Sequence, residues 1–276
     1  MARADAERDG RFIVTREHRR FVEFADAVRN HRYVGLCYGP AGVGKTLSAR
    51  RYARWHIAGE MLEAMGPREP WEAQARAALN RARSVFHTPT VGGTLKELRE
   101  ELPRLIARVE VYIEEHLRTS GKGNVKPYGH HRHVELIIID EAERLSTVAL
   151  EWVRDLFDRR GVGLILIGMP GIEKRLSRYP QLYSRVGFAH QYRPLDDEEL
   201  AFVLTRRWRE LGLDLDQADF TDAHAVASVV RITGGNFRLV QRLFVQIGRI
   251  LRINGLSAIT DDVVEAARST LVIGAT

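Results

Sequence analysis

Gly39-Pro40-Ala41-Gly42-Val43-Gly44-Lys45-Thr46 fits the spacing GxxxxGK[ST] and follows directly on the apolar run Tyr33-Val34-Gly35-Leu36-Cys37-Tyr38. Residue types in that order can hold a polyphosphate. The glycines let the backbone curl so that successive N–H groups face one phosphate, and a helix beginning near Lys45 adds the positive end of its dipole. Lys45 would neutralise β- and γ-phosphate oxygens, and the Thr46 hydroxyl would ligate Mg²⁺. A Gly-rich turn between a strand and a helix is the plain alternative. Eight fitted positions, a preceding strand and a following helix from Leu47 to Trp55 argue against it.

A second group of chemical interest is Leu136-Ile137-Ile138-Ile139-Asp140-Glu141, four branched apolar residues ending in two carboxylates. The pattern predicts a buried parallel strand that delivers its acids at the C-terminal edge. Beside a phosphate-binding loop the first acid, Asp140, would join Thr46 in holding Mg²⁺, and the second, Glu141, would polarise the water that attacks the γ-phosphate. ATP and Mg²⁺ are therefore the expected cofactors. Alone, such a strand could equally be a buried run capped by solvated charge.

These groups need a frame. A chain of 276 residues with 45% hydrophobic and 28% charged residues suits one α/β core and a smaller satellite domain. No apolar run approaches the ~20 residues of a membrane span, and Met1-Ala2-Arg3-Ala4-Asp5 does not open a signal peptide. A cytoplasmic protein without a membrane partner is expected. Cys37, the one cysteine, lies in the first strand and reads as core. The net charge of +6 favours an anionic partner, of which nucleic acid is the commonest.

Residues 1–11 are charged and unpatterned. Phe21, Phe24, Ala25 and Val28 then form a core-facing helical stripe within about Arg16 to Asn30. A helix-prone segment runs to about Arg83, Ser84-Val85-Phe86-His87 reads as a short strand, and helix returns from Leu95 to Leu117. Between them lies the turn-like stretch Thr88 to Thr94, and an exposed loop rich in glycine and positive charge covers Arg118 to Gly129. A helix from about Thr147 to Arg159 leads into the buried strand Gly163-Leu164-Ile165-Leu166-Ile167-Gly168. Alternating strands and helices predict a parallel sheet with crossover helices. Beyond Pro194 only helices remain, near Asp196–Leu211, Asp222–Ile232, Asn236–Ile253 and Thr260–Leu271.

With these motifs in this order, the chain from about residue 12 to 270 resembles an AAA+ ATPase. The resemblance implies a flexible N-terminus (1–11), an α/β nucleotide-binding core (12–194) with a five-stranded parallel sheet of order 5-1-4-3-2, and a helical lid (195–276). It also implies a nucleotide held between core and lid, and activity that depends on an arginine from a neighbouring subunit. Tyr179-Pro180-Gln181-Leu182-Tyr183-Ser184-Arg185-Val186 is similar to the segment carrying that arginine, which makes Arg185 the first choice and Arg178 the reserve. Gly234-Gly235-Asn236-Phe237-Arg238 is similar to the lid motif that sets a second arginine, Arg238, on the nucleotide. One departure stands out. Where AAA+ proteins carry a polar residue to orient the attacking water, this chain has Gly168-Met169-Pro170, so hydrolysis is expected to be slow or to use another group.

The runs Ile138 to Leu145 (IIDEAERL), Leu166 to Gly171 (LIGMPG) and Gly234 to Arg238 (GGNFR) most resemble transposition ATPases of the TniB, TnsC and Mu phage B-protein type. That resemblance implies an ATP-dependent, sequence-tolerant binder of double-stranded DNA. It would assemble with itself as a ring or helical filament and recruit a transposase, with a target-selection protein as a further partner. In such an assembly the loops Thr90–Arg99 and Arg118–Arg132 would face the pore, offering Thr94, Lys96, Arg99, Lys122, Lys126 and Arg132 to phosphates without reading bases. The same charges could be a solvated face. Adjacent His130, His131 and His133 lack the spacing of a metal site. The alternative function is a secretion or signalling ATPase that works on protein partners without DNA, and a helicase loader would need a further DNA-binding domain.

Overall fold

A computed structural model describes residues 12–63, 71–121, 132–216 and 218–271. Five strands form one sheet: β1 (Val34–Tyr38), β2 (Ser84–His87), β3 (Leu136–Ile139), β4 (Gly163–Gly168) and β5 (Val186–Gln191). Their order is β2-β3-β4-β1-β5, which is the expected 5-1-4-3-2 read from the other edge. Every pairing is parallel. Parallel strands need crossovers, and helices covering both faces leave the central strands continuously apolar; accordingly all of β3 and β4 is buried. The register sets Tyr38 beside Gly168 and Ile139 beside both Leu166 and His87. The residues that follow β1, β3 and β4 therefore emerge at one edge of the sheet.

The helices that complete this part are α1 (Arg16–His31), α2 (Lys45–Tyr52), α3 (Trp55–Glu63), α4 (Glu72–Ala82), α5 (Leu95–Thr119), α6 (Thr147–Arg160) and the short α7 (Ile172–Leu176) and α8 (Pro180–Tyr183). The stripe Phe21, Phe24, Ala25 and Val28 on α1 is buried, as its spacing predicts. It comes so close to β1 that a Cβ on Gly35 would lie 2.4 Å from Val28 Cγ2, so only glycine fits there. Thr94 and Glu97 start α5 with a reciprocal capping box, which satisfies two of the N–H groups a helix start leaves open. The helix expected over Leu47 to Trp55 is broken. Arg54 turns left-handed with φ 53°, and α2 gives way to α3.

The last helices are α9 (Asp197–Glu210), α10 (Phe220–Thr233), α11 (Phe237–Asn254) and α12 (Asp261–Ser269). Their core includes the fully buried Trp208, packed on Phe244 at 5.2 Å between ring centroids. By compactness the described residues fall into two units. Residues 12–14, 18–39 and 45–192 hold the sheet, and 15–17, 40–44 and 193–271 hold the last four helices. Among the described residues no helix is long and apolar enough to cross a membrane.

Candidate nucleotide-binding and catalytic site

The loop Gly39–Thr46 leaves β1 at the sheet edge defined above. Tyr192 N donates to Tyr38 O at 2.7 Å, and a Cβ on Gly39 would meet Tyr192 O at 2.1 Å. Gly42 and Gly44 take φ values of 80° and 116°, the region where glycine is admitted without strain. Lys45, the first residue of α2, is buried and its Nζ donates to Gly39 O. The ammonium thus lies inside the curl of the loop, held by a carbonyl that a phosphate oxygen can replace.

Residues Pro40–Gly44 group with the helical unit. Gly42 O accepts from Arg238 N at 2.9 Å, and Ala41 O accepts from Asn236 Nδ2 at 2.8 Å. A Cβ on Gly42 would come within 2.6 Å of Asn236 Oδ1 and 3.0 Å of Arg238 Cβ. The structure thereby brings Arg238 to the loop, as the sequence motif suggested, with its side chain exposed. Asn236 is an addition. Its side chain also accepts from Leu239 N to cap α11, and the sequence signal was an Asn before an apolar helical stripe.

Asp140 follows β3 and is 2% exposed, its N–H donating to His87 O at 2.9 Å. Burial pushes its carboxyl above the ordinary value, opposed by hydrogen bonds from the Thr46 hydroxyl and the Glu141 N–H. Thr46 Oγ1 donates to Asp140 Oδ2 at 2.7 Å. Two oxygens this close, one an acid whose charge is costly to bury, are suited to a hard divalent cation that keeps waters and phosphates as its other ligands. The residues fit Mg²⁺. Among the described residues no cluster of three or more His, Cys, Asp or Glu could hold a metal by itself. His130 and His131 lie outside them.

Glu141 sits in the left-handed region, φ 50° and ψ 44°, which costs a non-glycine residue about 1 kcal/mol or more. Its carboxylate pairs with Arg144, whose Nη1 also donates to Pro89 O at 2.7 Å in the loop after β2. Sequence reasoning passed over Arg144, although its position three residues after a glutamate was a usable pairing signal. The end of β4 carries no polar group of its own, and Met169 is exposed. In its place Glu143 reaches across, its Oε2 2.8 Å from where a Cβ on Gly168 would be.

Arg185 precedes β5. Its Nε donates to Asp158 Oδ1 at 2.6 Å, its Nη2 to Asp158 Oδ2 at 2.8 Å, and its Nη1 to Gln181 O. The guanidinium holds the Asp158 carboxyl below its usual range. Arg178 is exposed and has no side-chain partner among the described residues.

The residues expected to meet DNA phosphates do not form one group. Thr94 caps α5, while Lys96 and Arg99 stand exposed on its first turns, three residues apart and so on one face. Arg132 lies before β3, at the opposite edge of the sheet, where its guanidinium donates to Arg159 O and Arg160 O at the end of α6. Lys122 and Lys126 lie outside the described residues.

Comparison with known proteins agrees with this geometry. The profile of the AAA domain matches residues 28–176. A "Potential ATP-binding protein" of Staphylococcus aureus is 42% identical over 95% of this chain and 97% of its own. The Mu-like prophage FluMu DNA transposition protein B of Haemophilus influenzae is 25% identical over 84% of this chain and 71% of its own. Among solved structures, the RuvB Holliday junction branch migration motor of Thermotoga maritima superposes with a TM-score of 0.55 at 15% identity, covering 94% of this chain and 70% of that one. The Aeropyrum pernix ORC2 protein gives 0.52 at 16% identity, with 94% and 70% covered. At those identities the two structures speak for the fold.

Proposed function

The chain belongs to the AAA-domain family of P-loop ATPases, and from that premise we propose that it couples Mg²⁺·ATP to sequence-tolerant binding of double-stranded DNA. In this reading it assembles on the duplex as a ring or helical filament and recruits a transposase, in a transposition system of the TniB, TnsC and Mu B-protein type. The nucleotide half is carried by the 2.7 Å contact of Thr46 with buried Asp140 beside Lys45. The DNA half is supported by similarity to a DNA transposition protein B over 84% of the chain, and by Lys96 and Arg99 exposed on one face where α5 begins. Residues 12–194 serve as nucleotide-binding core and 195–276 as lid.

Lys45 exchanges the Gly39 carbonyl for β- and γ-phosphate oxygens, and the N–H groups of the curled loop face the same phosphates. Thr46 and Asp140 hold Mg²⁺, which when bound neutralises charge on the transferred group. Glu141 takes up the proton of the attacking water. Its carboxylate is committed to Arg144 in this structure, so hydrolysis requires that pair to open, and the second bond of Arg144, to Pro89 O, ties the opening to the loop after β2. Arg185 serves the γ-phosphate of a neighbouring subunit, and Arg238 the nucleotide bound by its own chain.

The test is duplex binding, followed by fluorescence anisotropy with and without a slowly hydrolysed ATP analogue. Wild type should bind unrelated sequences alike and only with nucleotide, and Lys45→Ala should bind none. Retention of ATP-dependent binding by Lys45→Ala overturns the nucleotide switch. No duplex binding by wild type in any nucleotide state at low salt overturns the DNA reading and leaves an ATPase that acts on protein partners.

A further inference from the structure

A cavity of about 310 Å³ opens in the first unit away from the motifs used above, lined by the ends of α2 and α4, the turn at Arg54 and one face of α1. Four arginines reach it, Arg29, Arg51, Arg54 and Arg81, against one carboxylate, Asp26. The charges do not cancel. Arg29 is matched from outside the cavity by Glu135, Nε to Oε2 at 2.7 Å. Asp26 is occupied by the Tyr52 hydroxyl, which donates to it at 2.6 Å. Arg51 lies over the Phe12 ring at 5.1 Å and bonds His56 Nε2 at 2.9 Å, neither of which supplies negative charge at neutral pH. Arg54 and Arg81 have no side-chain partner among the described residues.

Burial and the neighbouring Arg54 both lower the Arg51 guanidinium from its usual value, the signature of like charges facing one another. His18, also on the wall, is held neutral by burial. A basic residue in the last turn of a helix is stabilised by the helix dipole, and this accounts for Arg51 and Arg81. It does not account for Arg54, which stands after α2 at φ 53°, where glycine or asparagine would serve the turn at lower cost. What arginine adds there is a guanidinium turned to a concave, positively charged space.

We propose that this cavity is a second oxyanion site, taking a phosphate group between the guanidinium forks of Arg51, Arg54 and Arg81. Phosphate is the fitting anion because its oxygens accept the paired N–H groups of a guanidinium and its charge exceeds one. The volume exceeds the need of a lone phosphate and admits a phosphorylated small molecule or one backbone phosphate with its sugar. Either source presents the same oxyanion. The site stands whatever function the P-loop serves.

The experiment uses the full chain carrying Lys45→Ala, so that the P-loop does not bind the probe, and inorganic pyrophosphate as that probe in calorimetric titration. One binding site should remain, and adding Arg54→Gln with Arg81→Gln should weaken it tenfold or more while thermal unfolding is unchanged. Arg54→Lys with Arg81→Lys, which keeps charge and loses the forks, should fall between. Absence of a site in the Lys45→Ala protein, or equal affinity in the glutamine variant, overturns the proposal. Duplex titrations at several salt concentrations on the otherwise wild-type chain, with slowly hydrolysed ATP analogue, identify the source. A log–log slope reduced by about 0.9 for each phosphate that the glutamine variant no longer neutralises assigns the site to nucleic-acid backbone. An unchanged slope, with pyrophosphate binding abolished, assigns it to a free phosphorylated ligand.

Discussion

Asp158→Ala should slow ATP hydrolysis by the assembled protein about tenfold and leave KM for ATP unchanged. Asp158 engages two edges of the Arg185 guanidinium at 2.6 and 2.8 Å, and Gln181 O takes a third N–H. Three of five donors are thus used within the chain, and two remain for a phosphate of the neighbouring subunit. An arginine side chain carries about 2 kcal/mol of rotamer entropy. With Gln181 O still restraining the variant, roughly 1.4 kcal/mol would be lost, which is tenfold in rate. Removing the guanidinium altogether by Arg185→Ala should cost about 10³-fold or more. The effect on folding should be small, since both side chains are about a third exposed, 33% and 32%, and such a pair contributes at most about 1 kcal/mol. Mixed assemblies give the decisive assay. Lys45→Ala subunits cannot hydrolyse ATP but can donate Arg185, so they should restore activity to Arg185→Ala subunits, whereas Lys45→Ala subunits that also carry Asp158→Ala should restore about a tenth as much. Equal rescue by both donors refutes the positioning role of Asp158, and no rescue by either, with co-assembly demonstrated, refutes the transfer of Arg185 between subunits.

Arg144→Ala should raise hydrolysis in the absence of duplex by several-fold and compress the stimulation by duplex toward one, because the Glu141 carboxylate loses its partner; a fall in both rates would mean that Arg144 supports the active geometry instead. Lys96→Ala with Arg99→Ala should weaken binding to every duplex alike and lower the salt slope by about 0.9 for each phosphate no longer neutralised, and wild-type affinity and slope would place the DNA-binding surface elsewhere. Asp140→Asn should abolish Mg²⁺-dependent ATP binding yet raise the unfolding temperature of the nucleotide-free protein at pH 7. The sign follows from linkage. The folded-state pKa of Asp140 is raised by burial, so its contribution is most favourable below the unfolded carboxylate value and is lost as pH rises through the folded one. The thermal advantage of Asp140→Asn should therefore shrink toward acid pH, and an advantage that grows there refutes burial as the cause.

The parts of the fold legible in the sequence are those whose physics is local. Leu136–Ile139 and Gly163–Gly168 are apolar on both faces because the sheet is covered on both sides, and the phosphate loop is written in glycines whose φ values no other residue shares cheaply. β5 was less legible. Val186–Gln191 alternates between half-buried and exposed positions, as an edge strand does, and its Gly and Gln hide the pattern that a central strand displays. The same distinction separates the site residues. Lys45, Thr46, Asp140 and Glu141 announce themselves by spacing along the chain. Arg144, Asp158 and Asn236 act through bonds with Pro89, Arg185 and Ala41 that lie 55, 27 and 195 residues away. Reach decides this. A charged side chain whose partner comes from another element looks like solvated surface until the chain is folded, and these three bind the very groups, the Glu141 carboxylate, the Arg185 guanidinium and the phosphate loop, on which timing of hydrolysis would depend. Short-range spacing thus encodes what the site can do chemically, and long-range pairing sets when it can do it.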